Sequence, residues 1–335
     1  MVKVRPVPIG SLFLIVSLSI SAYLLRSPFE VTRLRNSFIA DVGEPEDFHW
    51  PPEGPPRGYA NETRAAPSEF RRIADAERFD HADDSELSRA IAIARHLSGG
   101  DITSGEPIQS STLLAYEAIT QENVGYCADY TQVFNALALA SNMAVREWGM
   151  SFDGFSGDGH AFSEIYDSHL RKWVFIDPFY SFYIVDPVTE VPLSVLEFRE
   201  RLAEGDESLH TGLVQIDSEA FAFPTERKSI EYYRAGADQF YLWFGNDVFS
   251  YDQNPIIQKA AVFGRSVEQA VAILIGAHPK IRILPTVEGQ GVRQLNNTIR
   301  LFWAAVVFGL LACCLYVYAF VAHRTSRARQ ARFEE

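Results

Sequence analysis

The sequence predicts an α+β domain held between two membrane-spanning helices, and three observations carry that expectation. Apolar runs lie near both ends of the 335 residues. Segments with helical spacing crowd the stretch before residue 141, and segments alternating apolar with polar residues follow it. One cysteine, Cys127, stands outside the apolar runs at the head of one of those helical segments, with a histidine and an aspartate on the alternating ones.

The ends come first. Val7 to Leu25 is apolar, preceded by Lys3 and Arg5 and closed by Arg26. Leu301 to Ala322 is the second run, 22 residues long; about 20 apolar residues cross roughly 30 Å of hydrocarbon. Arg324, Arg327, Arg329 and Arg332 follow it. Basic residues mark the cytoplasmic flank of a span, so both termini are expected inside and the central domain outside, in the periplasm if the cell is bacterial. Ser19-Ile20-Ser21 before Ala22 also fits a signal-peptide cleavage site, which leaves the central domain on the same side.

The expected organisation is an N-terminal span over 1–26, a proline-rich linker or strap over 27–80, a core over 81–182 and a C-terminal extension over 183–298. A second span over 299–323 and a basic tail over 324–335 complete it. Between the spans lie 41 acidic and 22 basic residues. Such a field repels nucleic acid and anionic lipid headgroups, so no nucleic acid is expected as a partner.

Asp41 to Pro67 holds six prolines and little periodicity, the mark of a linker or an extended strap. Asp84 to Leu97 has helical spacing, with Asp83 or Asp84 as cap and Gly99-Gly100 as stop. Ser110 to Thr120 and Cys127 to Ser141 are the next helices. Cys127, Tyr130, Phe134 and Leu137 share one face of the latter, after a turn made by Asn123 and Gly125. Val145 to Ser151 reads as a strand. His160–Asp167 and Lys172–Tyr180 read as a hairpin turning at Ser168-His169, with Gly154–Asp158 as a flexible loop before it. Centring that turn pairs Glu164 with Trp173, Phe162 with Phe175, and His160 with Asp177. Opposed side chains lie about 4.5–5.5 Å apart at Cβ, close enough for a carboxylate to hold an imidazole. Glu164 reads as exposed on its strand, while Trp173, Phe175 and Phe179 read as core. Ser194–Ala203 and Ser266–Ile275 are helical; the rest of 181–298 carries no clear pattern.

The chemistry centres on Cys127. Cys313 and Cys314 adjoin each other inside the second apolar run, so Cys127 has no partner for a disulfide in its own domain. It is an inert core thiol or a nucleophile. His160 stands 33 residues on and Asp177 a further 17. A helix N-terminus and an imidazolium both favour a thiolate, and a carboxylate orients the imidazole. The backbone amide of Cys127 and the side chain of Gln121, with Asn123 as a substitute, are the oxyanion candidates. Zinc at His160 lacks a second ligand at the usual spacing, and there is no calcium-loop pattern, so no metal or other cofactor is expected.

Gly-Tyr-Cys-Ala-Asp-Tyr at a helix start, His-Ala-Phe-Ser-Glu-Ile-Tyr on a strand and Trp-Val-Phe-Ile-Asp-Pro on the next resemble the transglutaminase-like core, a branch of the papain-like cysteine enzymes. The resemblance spans roughly Leu87 to Tyr180. It implies a cysteine helix packed on an antiparallel sheet. It also implies Cys127 as nucleophile, His160 as general base and acid, and Asp177 as the orienting carboxylate. Gln121 is similar in spacing to the papain-type oxyanion glutamine. The chain departs from the family at Phe162, where Trp is frequent, and at Ala140–Arg146. The implied activity is a thiol amidohydrolase, peptidase or acyl transferase, acting on a peptide or protein amide of the cell envelope. The alternative is a non-catalytic envelope protein that binds peptide or glycan, or organises a membrane assembly such as polysaccharide export.

Overall fold

The computed structural model describes residues 6–79, 85–98, 107–108, 110–213, 223, 225–286 and 289–331. Its first elements are α1 (Pro6–Leu24), α2 (Pro28–Ile39), β1 (Ala40–Val42), α3 (Ser68–Ala76), α4 (Glu86–Leu97), α5 (Thr112–Glu122) and α6 (Cys127–Ala140). Then come β2 (Val145–Ser151), β3 (Gly159–Asp167), β4 (Lys172–Ile176), β5 (Phe182–Val185), α7 (Val195–Glu204), β6 (His210–Leu213) and α8 (Glu226–Gly236). The last are β7 (Phe240–Trp243), α9 (Val248–Asp252), α10 (Pro255–Ala261), α11 (Arg265–Leu274), β8 (Ile281–Ile283) and α12 (Gln290–Ala331). They fall into two units: a helical one comprising residues up to Phe38, Gly154–Gly157 and Gly289 onward, and a mixed one comprising Ile39–Asp153 and Asp158–Glu288.

In the helical unit, α1 and α12 are each long and apolar enough to cross a membrane. They run antiparallel: Ser11 meets Tyr316 at 2.9 Å, Phe13 meets Phe308 at 5.7 Å between rings, and Ser17 Oγ donates to the Ala305 carbonyl at 2.8 Å. Small side chains permit the approach, as at Gly309 against Ser17. On α2, Glu30 accepts from Arg26 and Arg33 at 2.6 Å each. The loop expected to be flexible is anchored here instead. Asn36 Nδ2 donates to the Phe155 carbonyl at 2.8 Å, and Phe155 is buried.

The mixed unit is built on a six-stranded sheet of order β1-β8-β7-β2-β3-β4. Its pairs are antiparallel except β1 with β8, so the expected antiparallel sheet carries one parallel edge. β5 and β6 pair separately. Strand side chains alternate between faces, and here both faces are buried. Val145, Ile165, Val174 and Ile176 join a core with α3 to α6. Their alternates Trp148, Met150, Phe162, Phe175, Phe240 and Leu242 join a second core with Val195, Phe198 and Leu202 of α7 and Ile230 and Tyr233 of α8.

The proline-rich stretch after β1 buries Phe48, Trp50 and Tyr59 in that second core. It lies over a charged pair: Arg146 Nε donates to Glu164 at 2.6 Å, with its guanidinium 4.3 Å from the Trp173 ring. Glu164 also accepts from the Trp148 indole and from Val195 N. The exposed position expected for Glu164 is therefore wrong. It is fully buried, because covering this face of the sheet leaves the carboxylate only protein donors. Trp173 and Phe175 are core as expected, whereas Phe179 is half-buried.

Helix starts and stops follow local chemistry. Ser85 caps α4 by accepting from Ser88 N, one residue beyond the expected aspartates, which lie outside the described residues, as do Gly99 and Gly100. Ser194 and Glu197 form a capping box at α7. The β3–β4 register differs from expectation by two residues: Glu164 opposes Phe175, and Tyr166 opposes Trp173. The cause is a turn of four residues, 168–171. Asp167 Oδ1 accepts from His169 N and Leu170 N at 3.0 and 2.9 Å, and Arg171 adopts a φ of 51°. A shift of two preserves the face, so His160 and Asp177 stay on one side of the sheet as a diagonal rather than a direct pair.

Candidate active site

Cys127 opens α6, where the local sequence can place little else. Asn123 ends α5 in the left-handed region at φ 54°, and Gly125 turns the chain at φ 122°. A Cβ at Gly125 would press on Ile108 at 3.1 Å, so glycine suits both the angle and the space. Asp129 fixes the helix start by accepting from Tyr126 N at 2.8 Å and Ile108 N at 3.2 Å. Burial holds its carboxyl above the usual range against those two bonds. Buried Tyr130, Phe134 and Leu137 seat the helix in the first core. Cys127, the first helical residue, stays half-buried with a backbone amide that has no partner in the preceding turn.

His160 lies at the start of β3, opposite Met150. The preceding Gly159 sits so close to the Met150 carbonyl that a Cβ would approach it to 2.1 Å. His160 Nε2 is 2.7 Å from Asp177 Oδ2, and both side chains are buried. This leaves Nδ1 for the Cys127 side chain, with which the imidazole also interacts. Burial pulls the His160 pKa down, but the Asp177 carboxylate and Cys127 outweigh it and raise it to about 10. The ring is therefore held as imidazolium near neutrality.

Asp177 is anchored on both oxygens. Oδ1 accepts from Phe179 N and Tyr180 N, each at 2.9 Å. Oδ2 accepts from His160 and from the Tyr233 hydroxyl. Tyr180 stacks on the imidazole with ring centres 4.7 Å apart and 23° between planes, and its hydroxyl bonds that of Tyr232. Phe223 closes on Tyr180 and Tyr232 at 4.6 and 5.5 Å between ring centres.

Cys127, His160 and Asp177 are thus brought together, while Gln121 is not among their partners: it is exposed in the last turn of α5. Sequence reasoning missed Tyr180, Tyr232 and Tyr233. The signal available was the adjacent tyrosine pair at 232–233, in a stretch where nothing fixed its distance from Cys127, His160 and Asp177. A separate group, Glu86, Asp167 and His169, places three possible ligand atoms within 4.8 Å of one another. Its carboxylates already serve backbone and hydroxyl donors of the β3–β4 turn.

A family model described as the transglutaminase-like superfamily matches residues 74–178, so this stretch is a transglutaminase-like domain. No curated protein and no solved structure matches the chain. The matched stretch ends just after Asp177, so Tyr180, Tyr232 and Tyr233 lie beyond it.

Proposed function

We propose that this chain is a membrane-anchored, extracytoplasmic thiol enzyme that cleaves or transfers amide bonds of peptides or proteins of the cell envelope. The observation that carries the reading is the buried His160–Asp177 pair beside Cys127 at a helix N-terminus. The Cys127 sulfur attacks the amide carbonyl carbon, and the C–O π electrons move to oxygen. The Cys127 amide faces that charge, with Gln121 as a second donor only if its side chain swings in. As the C–N bond breaks, His160 gives its Nδ1 proton to the leaving nitrogen, and Asp177 keeps Nε2 fixed. Water or an amine, deprotonated by His160, then attacks the thioester and releases the acid or the new amide together with the thiolate. No step draws on a metal or cofactor.

One observation favours a second reading, a non-catalytic binder of peptide or glycan or an organiser of a membrane assembly. His160 is only 4% exposed, beneath Tyr180 and beside Tyr232. Alkylation decides between them. In the full chain with Cys313→Ser and Cys314→Ser, iodoacetamide labelling is followed between about pH 4 and 9, with and without His160→Ala. An enzyme predicts labelling at about pH 6 that drops roughly tenfold or more in the variant. Labelling only near the free-thiol value of about 8.5, unchanged by the variant, supports the binder.

A further inference from the structure

Helix α11 is turned the opposite way from an ordinary surface helix. A helix on a soluble domain buries its apolar stripe and exposes its charges. Here Glu268 and Ala272 are buried, with Glu268 bonded to Arg265 and to the Tyr251 hydroxyl. Val267, Ala270, Val271 and Leu274, spaced i, i+3, i+4, i+7, form the opposite stripe, exposed except at the half-buried Val271. The turn from α10 to α11 adds Val262 and Phe263, 82% and 78% exposed, and Leu274 is 84% exposed. Of the large apolar side chains exposed among the described residues of the mixed unit, more than half fall between Ile256 and Ile275.

The charge of this segment also differs from its surroundings. The stretch between the spans is strongly acidic, yet Pro255–Lys280 carries Lys259, Arg265 and Lys280 against the single acid Glu268. Lys259 and Lys280, both exposed, lie before and after the apolar stripe along the chain. Apolar side chains edged by lysine suit the boundary between headgroups and acyl chains, above all in anionic lipid. The occupant is within reach as well, because the apolar run of α12 begins at Leu301, 26 residues after Ile275. A tether that short keeps the effective concentration of bilayer high.

We propose that the α10–α11 hairpin is a bilayer-docking surface, inserting Val262, Phe263 and the Val267–Leu274 stripe at the headgroup–acyl boundary of anionic lipid. The inference rests on membrane anchoring through α1 and α12 and is independent of the cysteine chemistry.

The test uses the full chain with its three cysteines replaced by serine, reconstituted in phosphatidylcholine vesicles with and without phosphatidylglycerol. Single cysteines introduced as Phe263→Cys, Leu274→Cys or Val188→Cys carry a water-sensitive fluorophore, and doxyl-labelled lipid is the quencher. Val188, 87% exposed in the β5–α7 connection, is the control. Docking predicts quenching at 263 and 274 at least about twofold above that at 188, greater with phosphatidylglycerol. Vesicle-bound protein with equal quenching at all three sites overturns the proposal. Labels at 263 and 274 shielded from water yet unquenched overturn it in favour of a protein partner or a second copy. Failure to co-float with vesicles overturns the anchoring on which it rests.

Discussion

At the scale of single residues, the decisive competition is at His160. Burial alone would leave a neutral imidazole; the Asp177 carboxylate and Cys127 reverse that and lift its pKa to about 10. In the variant Asp177→Asn burial prevails, so the ring should be neutral at pH 7, which a ¹⁵N-edited histidine spectrum reads directly. The same shift bears on stability. A pKa raised above the unfolded value of about 6.5 gives stabilisation that is complete below that pH and is lost as pH rises through about 10. Wild-type melting temperature should fall over that window, and His160→Gln should flatten the part due to this residue. Tyr233→Phe removes one of the donors to Asp177 Oδ2 and should cost about 1–2 kcal/mol in urea unfolding. An unchanged midpoint would show that the hydroxyl contributes no net stability there.

At the scale of elements, β2 and β3 place the histidine, and their close approach at Gly159 sets the tolerance. Gly159→Ala would drive its Cβ into the Met150 carbonyl, so thermal stability and Cys127 alkylation should fall together. Stability falling with alkylation unaffected would mean that the strand end does not position His160. The helix-facing side of β2 offers a different test. Burial pushes the Glu147 carboxyl up to about 8, with Asn135 Nδ2 at 3.3 Å only partly opposing it. A carboxyl that keeps its proton more tightly when folded destabilises progressively as pH rises from about 4.3 through 8. Glu147→Gln should therefore melt higher than wild type at pH 8.5 and about level with it near pH 4. Equal melting at both would place Glu147 in water.

At the scale of the whole molecule, the transglutaminase-like match leaves one face of its sheet to be covered by residues outside it. Residues 74–178 supply β2, β3 and β4, but one face of those strands is covered by α7, α8 and the Phe48–Tyr59 strap. A fragment of residues 74–182 should be unfolded by near-ultraviolet circular dichroism, exposing Trp148, Phe162, Phe175 and the Arg146–Glu164 pair. Residues 39–288 should fold. A folded short fragment would show that the second core is dispensable.

How much was legible follows from the range of the forces involved. Local periodicity, capping residues and turn formers act within a few positions, so the sequence by itself determined the apolar helices, α4 to α7, α11 and the β2–β4 strands. Residue chemistry in order along the chain likewise singled out Cys127, His160 and Asp177. The two-residue error in register arose because a four-residue turn, held by the Asp167 carboxylate, cannot be told from a two-residue one by alternation alone. The burial of Glu164, the strap over the sheet and the placing of Tyr232 and Tyr233 beside His160 and Asp177 were decided by tertiary structure. Each depends on contacts between residues 31 to 123 positions apart. Across such separations chain entropy carries no directional information, and only the packing of both sheet faces selects the partner.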